Sequence, residues 1–297
     1  MRRRAFLGLG LLAACGRTEP GRELRIASGE PGGFYTAFGT LLGAEIAAAE
    51  PDVHPVVLPS QGSVDNLEML RDGRADLGMV LADAAHAALA GELGPQVPLQ
   101  AVGRVYENYT QLVVPADSPV RDLSELRSVS IGAPRSGTAL MGARLFADRP
   151  ELRTEMLPLL EAVTSLEQGR IEAFLWSGGL PTPLLKTLDD RIGIRLLPLN
   201  AAAARCTPVC DQLQVPPGAY RNTSGTATIG VPNILACTPN LPDDLAAAVV
   251  RVLVRRAPFL VPRETVGTQF LDVRNLIGTG EVPLHPGATA TYRDLHG

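Results

Sequence analysis

Three short runs of glycine and hydroxyl residues are the parts of this chain best equipped for chemistry. They are Ser28-Gly29-Glu30-Pro31-Gly32-Gly33, Pro59-Ser60-Gln61-Gly62-Ser63 and Pro134-Arg135-Ser136-Gly137-Thr138. Each lies between a strand-like run and a helix-like run. The first turn of a helix leaves backbone N–H groups unpaired and carries a partial positive charge, so such loops hold carboxylate or phosphate groups. Taken singly, each has a plainer reading: Gly32 and Gly33 as a tight turn, Ser63, Thr138 and Asp83 as helix caps, Tyr35 and Tyr106 as core aromatics with hydroxyls at the surface. Three anion-ready loops in one chain are harder to explain that way.

Motifs for bond-making chemistry are missing where they would be expected. The Gly29 loop is not G-x-G-x-x-G, and it has no lysine for a P-loop; the chain's single lysine is Lys186. Neither Ser136 nor Ser177 stands in G-x-S-x-G, and there is no H-E-x-x-H. His54, His86, His285 and His296 are scattered without a nucleophile or acid nearby in sequence, so Ser136 as a nucleophile lacks a nominated base. The sequence therefore predicts a binding protein rather than an enzyme, with no cofactor and no metal.

The elements around the loops alternate. Strands are expected at Leu24–Ala27, Val53–Leu58 and Leu77–Leu81, with helices at Phe34–Ala49, after Ser63 up to Gly73, and after Asp83 up to Gly91. This is the rhythm of a parallel α/β sheet. The order returns with a strand at Val129–Ala133, a helix from Ala139 and a strand near Leu157–Leu160. Leu70-Arg71-Asp72-Gly73-Arg74-Ala75-Asp76 is echoed by Leu166-Glu167-Gln168-Gly169-Arg170-Ile171-Glu172. Two lobes of one design are implied. The expected division is 23–112 for the first lobe, 113–227 for the second and 228–297 for the return to the first, with an apolar helix from Leu245 to Leu260 packed back on the first lobe.

Length and composition allow two domains: 297 residues, 45% hydrophobic and 20% charged. Arg2-Arg3-Arg4, a short apolar run and Leu12-Ala13-Ala14-Cys15-Gly16 read as a lipoprotein signal, too short to span a bilayer, which needs about 20 apolar residues. Residues 1–14 are then removed, Cys15 is acylated on the extracytoplasmic, periplasmic side, and 15–22 is a tether. Arg3-Arg4-Ala5-Phe6-Leu7 also suits twin-arginine export. Loss of three arginines takes the net charge from −4 to −7, which argues against nucleic acid as a partner. Cys206 and Cys210 are close enough in sequence to staple a loop, leaving Cys237 unpaired in an apolar strand; no further cysteine pair or His-x-x-x-His makes a zinc site.

Five ordered blocks resemble the TAXI group of solute receptors from tripartite ATP-independent periplasmic (TRAP) transporters. They are Ile26-Ala27-Ser28-Gly29 with Gly32-Gly33-Phe34-Tyr35, Gln61 to Leu67, Ile131-Gly132-Ala133-Pro134 with Ser136-Gly137-Thr138, Ile171-Glu172-Ala173-Phe174 with Gly178-Gly179-Leu180-Pro181, and Val282 to Ala288. The resemblance implies a two-lobed, type II periplasmic-binding-protein α/β fold, with a mainly parallel sheet in each lobe and a ligand cleft between. It further implies closure on a small carboxylate such as a glutamate-like amino acid or dicarboxylate, and delivery to TRAP membrane permease subunits. By that resemblance the Gly32-Gly33 loop with Tyr35, the Ser63–Asn66 turn, Ser136-Gly137-Thr138, Gly178-Gly179 and Tyr106 face the solute.

Two residues depart from the pattern: Glu30, where small or hydroxyl residues are usual, and Arg135, where glycine is usual. A carboxylate beside an anion loop repels a dicarboxylate by ~1–4 kcal/mol at about 4 Å, depending on screening. Glu30 and Arg135 are therefore expected either to latch the closed state or to grip the ammonium and carboxylate of an amino acid, the plainer alternative being two exposed side chains at the cleft rim. A sensory lipoprotein presenting its solute to a membrane kinase is the rival to a transporter receptor.

Overall fold

The computed structural model describes residues 21–199, 209–223, 225–263 and 265–296. The expected signal at 1–14, the acylated Cys15 and the Cys206 half of the expected Cys206–Cys210 bridge lie outside the described residues. Cys237 is buried, and no described helix is long and apolar enough to cross a membrane.

The chain opens with β1 (Arg22–Ala27), α1 (Phe34–Ala49), β2 (Val53–Leu58), α2 (Ser63–Arg71), β3 (Leu77–Leu81) and α3 (Ala82–Leu89). A 16-residue strand, β4 (Gln100–Pro115), leads to β5 (Ser128–Ser130), α4 (Gly137–Leu145), β6 (Arg153–Glu155), α5 (Leu159–Glu167), β7 (Ala173–Gly178), α6 (Pro183–Ile192) and β8 (Ile194–Leu197). Then come β9 (Asp211–Gln214), β10 (Ala227–Cys237), α7 (Asp243–Arg255), α8 (Val273–Leu276) and α9 (Pro286–His296).

The strands form one sheet in the order β2-β1-β3-β10-β4-β7-β5-β6, with β8 added to β4 and β9 to β10. The trios β2-β1-β3 and β6-β5-β7 are parallel, and each is followed by an antiparallel strand, β10 in the first half and β4 in the second. The two long strands stitch the halves together. From Gln100 to Thr110, β4 pairs with β10; from Tyr109 onward it pairs with β7, and at Leu112–Pro115 with β8. The expected lobe boundaries at 112/113 and 227/228 fall inside these strands, which run between two lobes of α/β type.

Local chemistry explains the echo between the lobes. Gly73 and Gly169 both take φ +65 at the exits of α2 and α5, a conformation strained for any side chain with a Cβ. Arg74 N–H closes the turn on Met69 O, as Arg170 N–H does on Ser165 O. The acid ending each repeat then pins the first strand of its lobe: Asp76 accepts from Arg25 N–H at 2.8 Å, and Glu172 from Arg127 N–H at 2.7 Å. One apolar cluster joins β1 and β3 to α1, α7 and α9, and another packs α5 and α6 on β7; a third joins α2 and α3 to α4 across the lobes.

Several local expectations are corrected. The strand expected at Val129–Ala133 ends at Ser130, where the chain turns into the Arg135 loop. Leu157–Leu160 is not a strand: the edge strand is Arg153–Glu155, and Pro158 caps a helix beginning at Leu159. Ser63 is the first residue of α2 rather than its cap, because Gly62 at φ +116 takes the cap position. Asp83 is likewise inside α3. The apolar helix ends at Arg255, short of Leu260, and a 3-10 turn at Ala257–Phe259 follows.

Candidate functional site

The first turns of α1, α2 and α4 and the end of β7 converge on one cavity between the lobes, with about 380 Å³ of atom-free space including its mouth. Gly33, Tyr35 and Ser63 of the first lobe border it, as do Ser136, Gly137, Thr138 and Gly178 of the second. Backbone N–H groups of Phe34, Tyr35, Ser63, Gly137 and Thr138 belong to these first turns and find no acceptor among the described residues. The adjacent donors are already spent: Asp65 N–H on Arg135 O at 3.0 Å, Ala139 N–H on Ser136 Oγ at 3.0 Å. The cavity therefore presents amides from three helix ends and two lobes, a polar cradle for negative charge.

The hydroxyls set the walls. Ser63 Oγ accepts from Leu81 N–H at 3.1 Å and lies 3.3 Å from the Tyr35 hydroxyl; burial, the largest influence, raises the tyrosine's pKa and keeps it neutral. Thr138 Oγ1 accepts from Ser177 N–H at 3.2 Å, tying α4 to β7. Ser136, whose hydroxyl accepts from Ala139 N–H, caps α4 and is committed to that role.

Glycine is required at the jaw contact because the lobes touch there. A Cβ on Gly137 would stand 2.6 Å from Leu81 and 2.8 Å from Ser63 Oγ across the cleft, and one on Gly179 would stand 2.3 Å from the Phe34 ring.

Other expected residues lie off the cavity wall. Asn66 is wholly buried and its Nδ2 donates to Ser28 O at 2.8 Å and Met79 O at 2.7 Å, tying α2 to β1 and β3. Tyr106 is wholly buried among Phe34, Phe38 and Tyr35, its hydroxyl directed at Met79 Sδ. Gly32 makes a turn at φ +79 beside Leu184. Arg135 stands at φ +61 and sends its guanidinium across the cleft rim to Glu68 (2.8 Å) and Asp65 (3.3 Å). Glu30 borders the cavity and also crosses between lobes, its Oε2 accepting from Leu159 N–H at the start of α5 at 2.6 Å. Burial lifts the Glu30 carboxyl to about 7; the Leu159 N–H opposes the rise and the charge of Glu161 adds to it.

The apolar walls, Phe34, Leu81 and Trp176, carry no signal in the sequence that marks them as part of a site. Trp176 donates its Nε1–H to Thr182 Oγ1 at 2.9 Å, which fixes the indole over the cleft. Asn108 of β4 and Asn233 of β10, one from each crossing strand, are buried beside two of the wall residues: Asn108 Nδ2 donates to Ser177 Oγ at 3.5 Å and Asn233 lies within reach of the Tyr35 hydroxyl, while Asn108 Oδ1 and the Asn233 amide make no hydrogen bond of normal geometry. Asn233 was legible as a polar residue set in an apolar strand, a costly placement unless it is used.

The profile of the NMT1-like family matches residues 26–295, so the chain belongs to that family. Among solved structures, the periplasmic binding protein BugD is similar at 12% identity, with 93% of this chain and 94% of that one covered and a TM-score of 0.60. A structure described as a periplasmic transporter aligns over 93% of each chain at 13% identity with a TM-score of 0.55. A putative L-cystine ABC transporter from Listeria monocytogenes aligns over 80% of this chain and 92% of that one, at 11% identity and a TM-score of 0.50. At these identities the likeness is one of fold: a two-lobed α/β binding-protein architecture.

Proposed function

We propose that this NMT1-like chain is an extracytoplasmic solute receptor that captures a small carboxylate-bearing solute by closing its two lobes and releases it to a membrane transporter without changing it chemically. One observation carries the reading: unpaired amides from three helix N-termini, contributed by both lobes, face a single small cavity. A carboxylate there bridges the lobes, so it binds the closed form better than the open one and shifts the population toward closure. Residues 113–227 move as one jaw against 23–112 and 228–297. Gly33, Tyr35, Ser63, Gly137, Thr138 and Gly178 are the contacts we assign, with Ser136 holding α4 in place.

Within the family, the motif blocks from Ile26 to Ala288 favour the TAXI branch and hence TRAP permease subunits as the partner. The Leu12 to Gly16 motif favours a lipid anchor at Cys15. A thermal-shift panel of amino acids, monocarboxylates and dicarboxylates tests the solute class: a ligand at a hundred times its Kd stabilises the fold by ~2.7 kcal/mol. No shift with any carboxylate, while an uncharged solute such as a sugar gives one, overturns the reading.

A further inference from the structure

We propose that the solute is a zwitterionic α-amino acid with a small uncharged side chain, its carboxylate on the amide cluster and its ammonium on Glu30. This rests on the carboxylate-receptor reading above and adds the solute's charge pattern to it.

The first support is a missing cation. Among the described residues, no arginine, lysine or histidine borders the cavity. Arg135, the residue placed to act as one, is spent on Glu68 and Asp65 at the rim. One carboxylate can be held by the backbone amides of Phe34, Tyr35, Ser63, Gly137 and Thr138, but the second carboxylate of glutamate or a dicarboxylate would meet Glu30 or the faces of Phe34, Leu81 and Trp176. Neither offers a counter-charge.

Glu30 supplies the complementary half. It is the charged side chain on the cavity wall, it is half-buried, and its bond is to a backbone N–H rather than to a cation. Its raised pKa, near 7, is that of a carboxylate lacking a counter-ion, which an ammonium group provides. The Leu159 N–H occupies Oε2 and fixes the carboxyl group in place.

Asn233 adds an independent sign of a polar guest. It is wholly buried, its amide makes no hydrogen bond of normal geometry, and it lies within reach of the Tyr35 hydroxyl on the cavity wall. It stands opposite Leu81 in the β3–β10 register, so its side chain rises from the same face of the sheet as that cavity-lining leucine.

Calorimetry at pH 7.5 tests this with neutral amino acids from glycine to leucine, each against its des-amino acid, and with L-glutamate. At least one neutral amino acid should bind ten-fold or more tightly than both its des-amino partner and glutamate. Glu30→Gln, matched in shape, should weaken that amino acid at least ten-fold and leave the des-amino acid unchanged or tighter. Glutamate or a simple monocarboxylate binding wild type as tightly as every neutral amino acid would overturn the inference while leaving the receptor reading intact. So would equal weakening of both ligands by Glu30→Gln, which assigns Glu30 to the Leu159 contact alone. Binding by no carboxylate of any kind would remove both.

Discussion

Arg135 Nη1 lies 2.8 Å from Glu68 Oε2, joining the loop before α4 to the middle of α2 across the mouth of the cleft. The same loop also accepts the Asp65 N–H through its Arg135 carbonyl. Arginine occupies a left-handed backbone position, φ +61, that glycine fills without strain. A side chain has been kept where it costs about 1 kcal/mol, and what it reaches is the opposite lobe. Glu30 makes the reverse connection, from the first lobe to α5 of the second. Arg135 and Glu30 therefore both bridge the lobes, through partners other than each other.

Replacing Arg135 separates strain from latching. Arg135→Gly and Arg135→Ala both delete the ion pairs, which at this exposure contribute at most about 1 kcal/mol, or roughly two- to five-fold in solute affinity. Only the glycine relieves the backbone. Urea unfolding should find Arg135→Gly more stable than Arg135→Ala by about 1 kcal/mol, with equal affinities by calorimetry. Equal stabilities would mean that the loop carries no such strain.

Glu30 makes closure of the empty protein depend on pH. Burial in the cleft raises its carboxyl from 4.5 to about 7, and opening of the lobes, on the proposed mechanism, returns it to water. A group with its pKa raised in one form favours that form at low pH. The preference is fully present below about 4.5 and is lost as pH rises through about 7. The closed fraction, followed by an inter-lobe fluorescence pair, should fall across that window by less than ten-fold per pH unit and then level off. In Glu30→Gln the curve should be flat. An unchanged slope in the variant would assign the pH dependence to another group.

Glu107 predicts a separate pH effect, on folding itself. It is buried in β4, its Oε1 lacks a partner, and burial raises its pKa from 4.5 to about 8, the Asp211 charge adding and Arg104 opposing. Its stabilising contribution is present below about 4.5 and lost as pH climbs through about 8. Glu107→Gln should match wild type at pH 5 and exceed it at pH 9 by about 1–3 kcal/mol in urea unfolding. A wild-type protein equally stable at both pH values would refute the assignment.

Legibility in the sequence followed the range of the interactions. Gly73 and Gly169, Asp76 and Glu172 were readable because helix exits are set by residues a few positions apart, and the glycine loops were readable for the same reason. Asn66 and Arg135 were not, because their partners, Ser28, Met79 and Glu68, are 13 to 67 residues away. Nothing in a loop's own sequence says whether a guanidinium points at a solute or at the facing lobe. Phe34, Leu81 and Trp176 were hidden differently: apolar residues at the ends of buried strands and helices look alike whether they fill a core or wall a cleft. The length of β4, 16 residues from Gln100 to Pro115, was masked by the polar run Tyr106-Glu107-Asn108 inside it.

The jaw contact itself can be blocked with one carbon. A methyl group at Gly179 would lie 2.3 to 2.5 Å from three atoms of the Phe34 ring, which packs on its other side against Tyr106 at a ring-centroid distance of 4.7 Å. Gly179 and Phe34 belong to opposite lobes, so on the proposed closure mechanism opening of the cleft separates them. Gly179→Ala should thus leave the fold and the unliganded melting temperature nearly unchanged, because the open form accommodates the methyl group. Solute affinity should drop at least ten-fold, since overpacking of this kind costs about 1–3 kcal/mol and falls on the closed form alone. Small-angle scattering should show a radius of gyration that no longer contracts on adding solute. A variant that binds and contracts like wild type would show that closure does not bring Gly179 onto Phe34, and with it that the lobes bind their solute in some other arrangement.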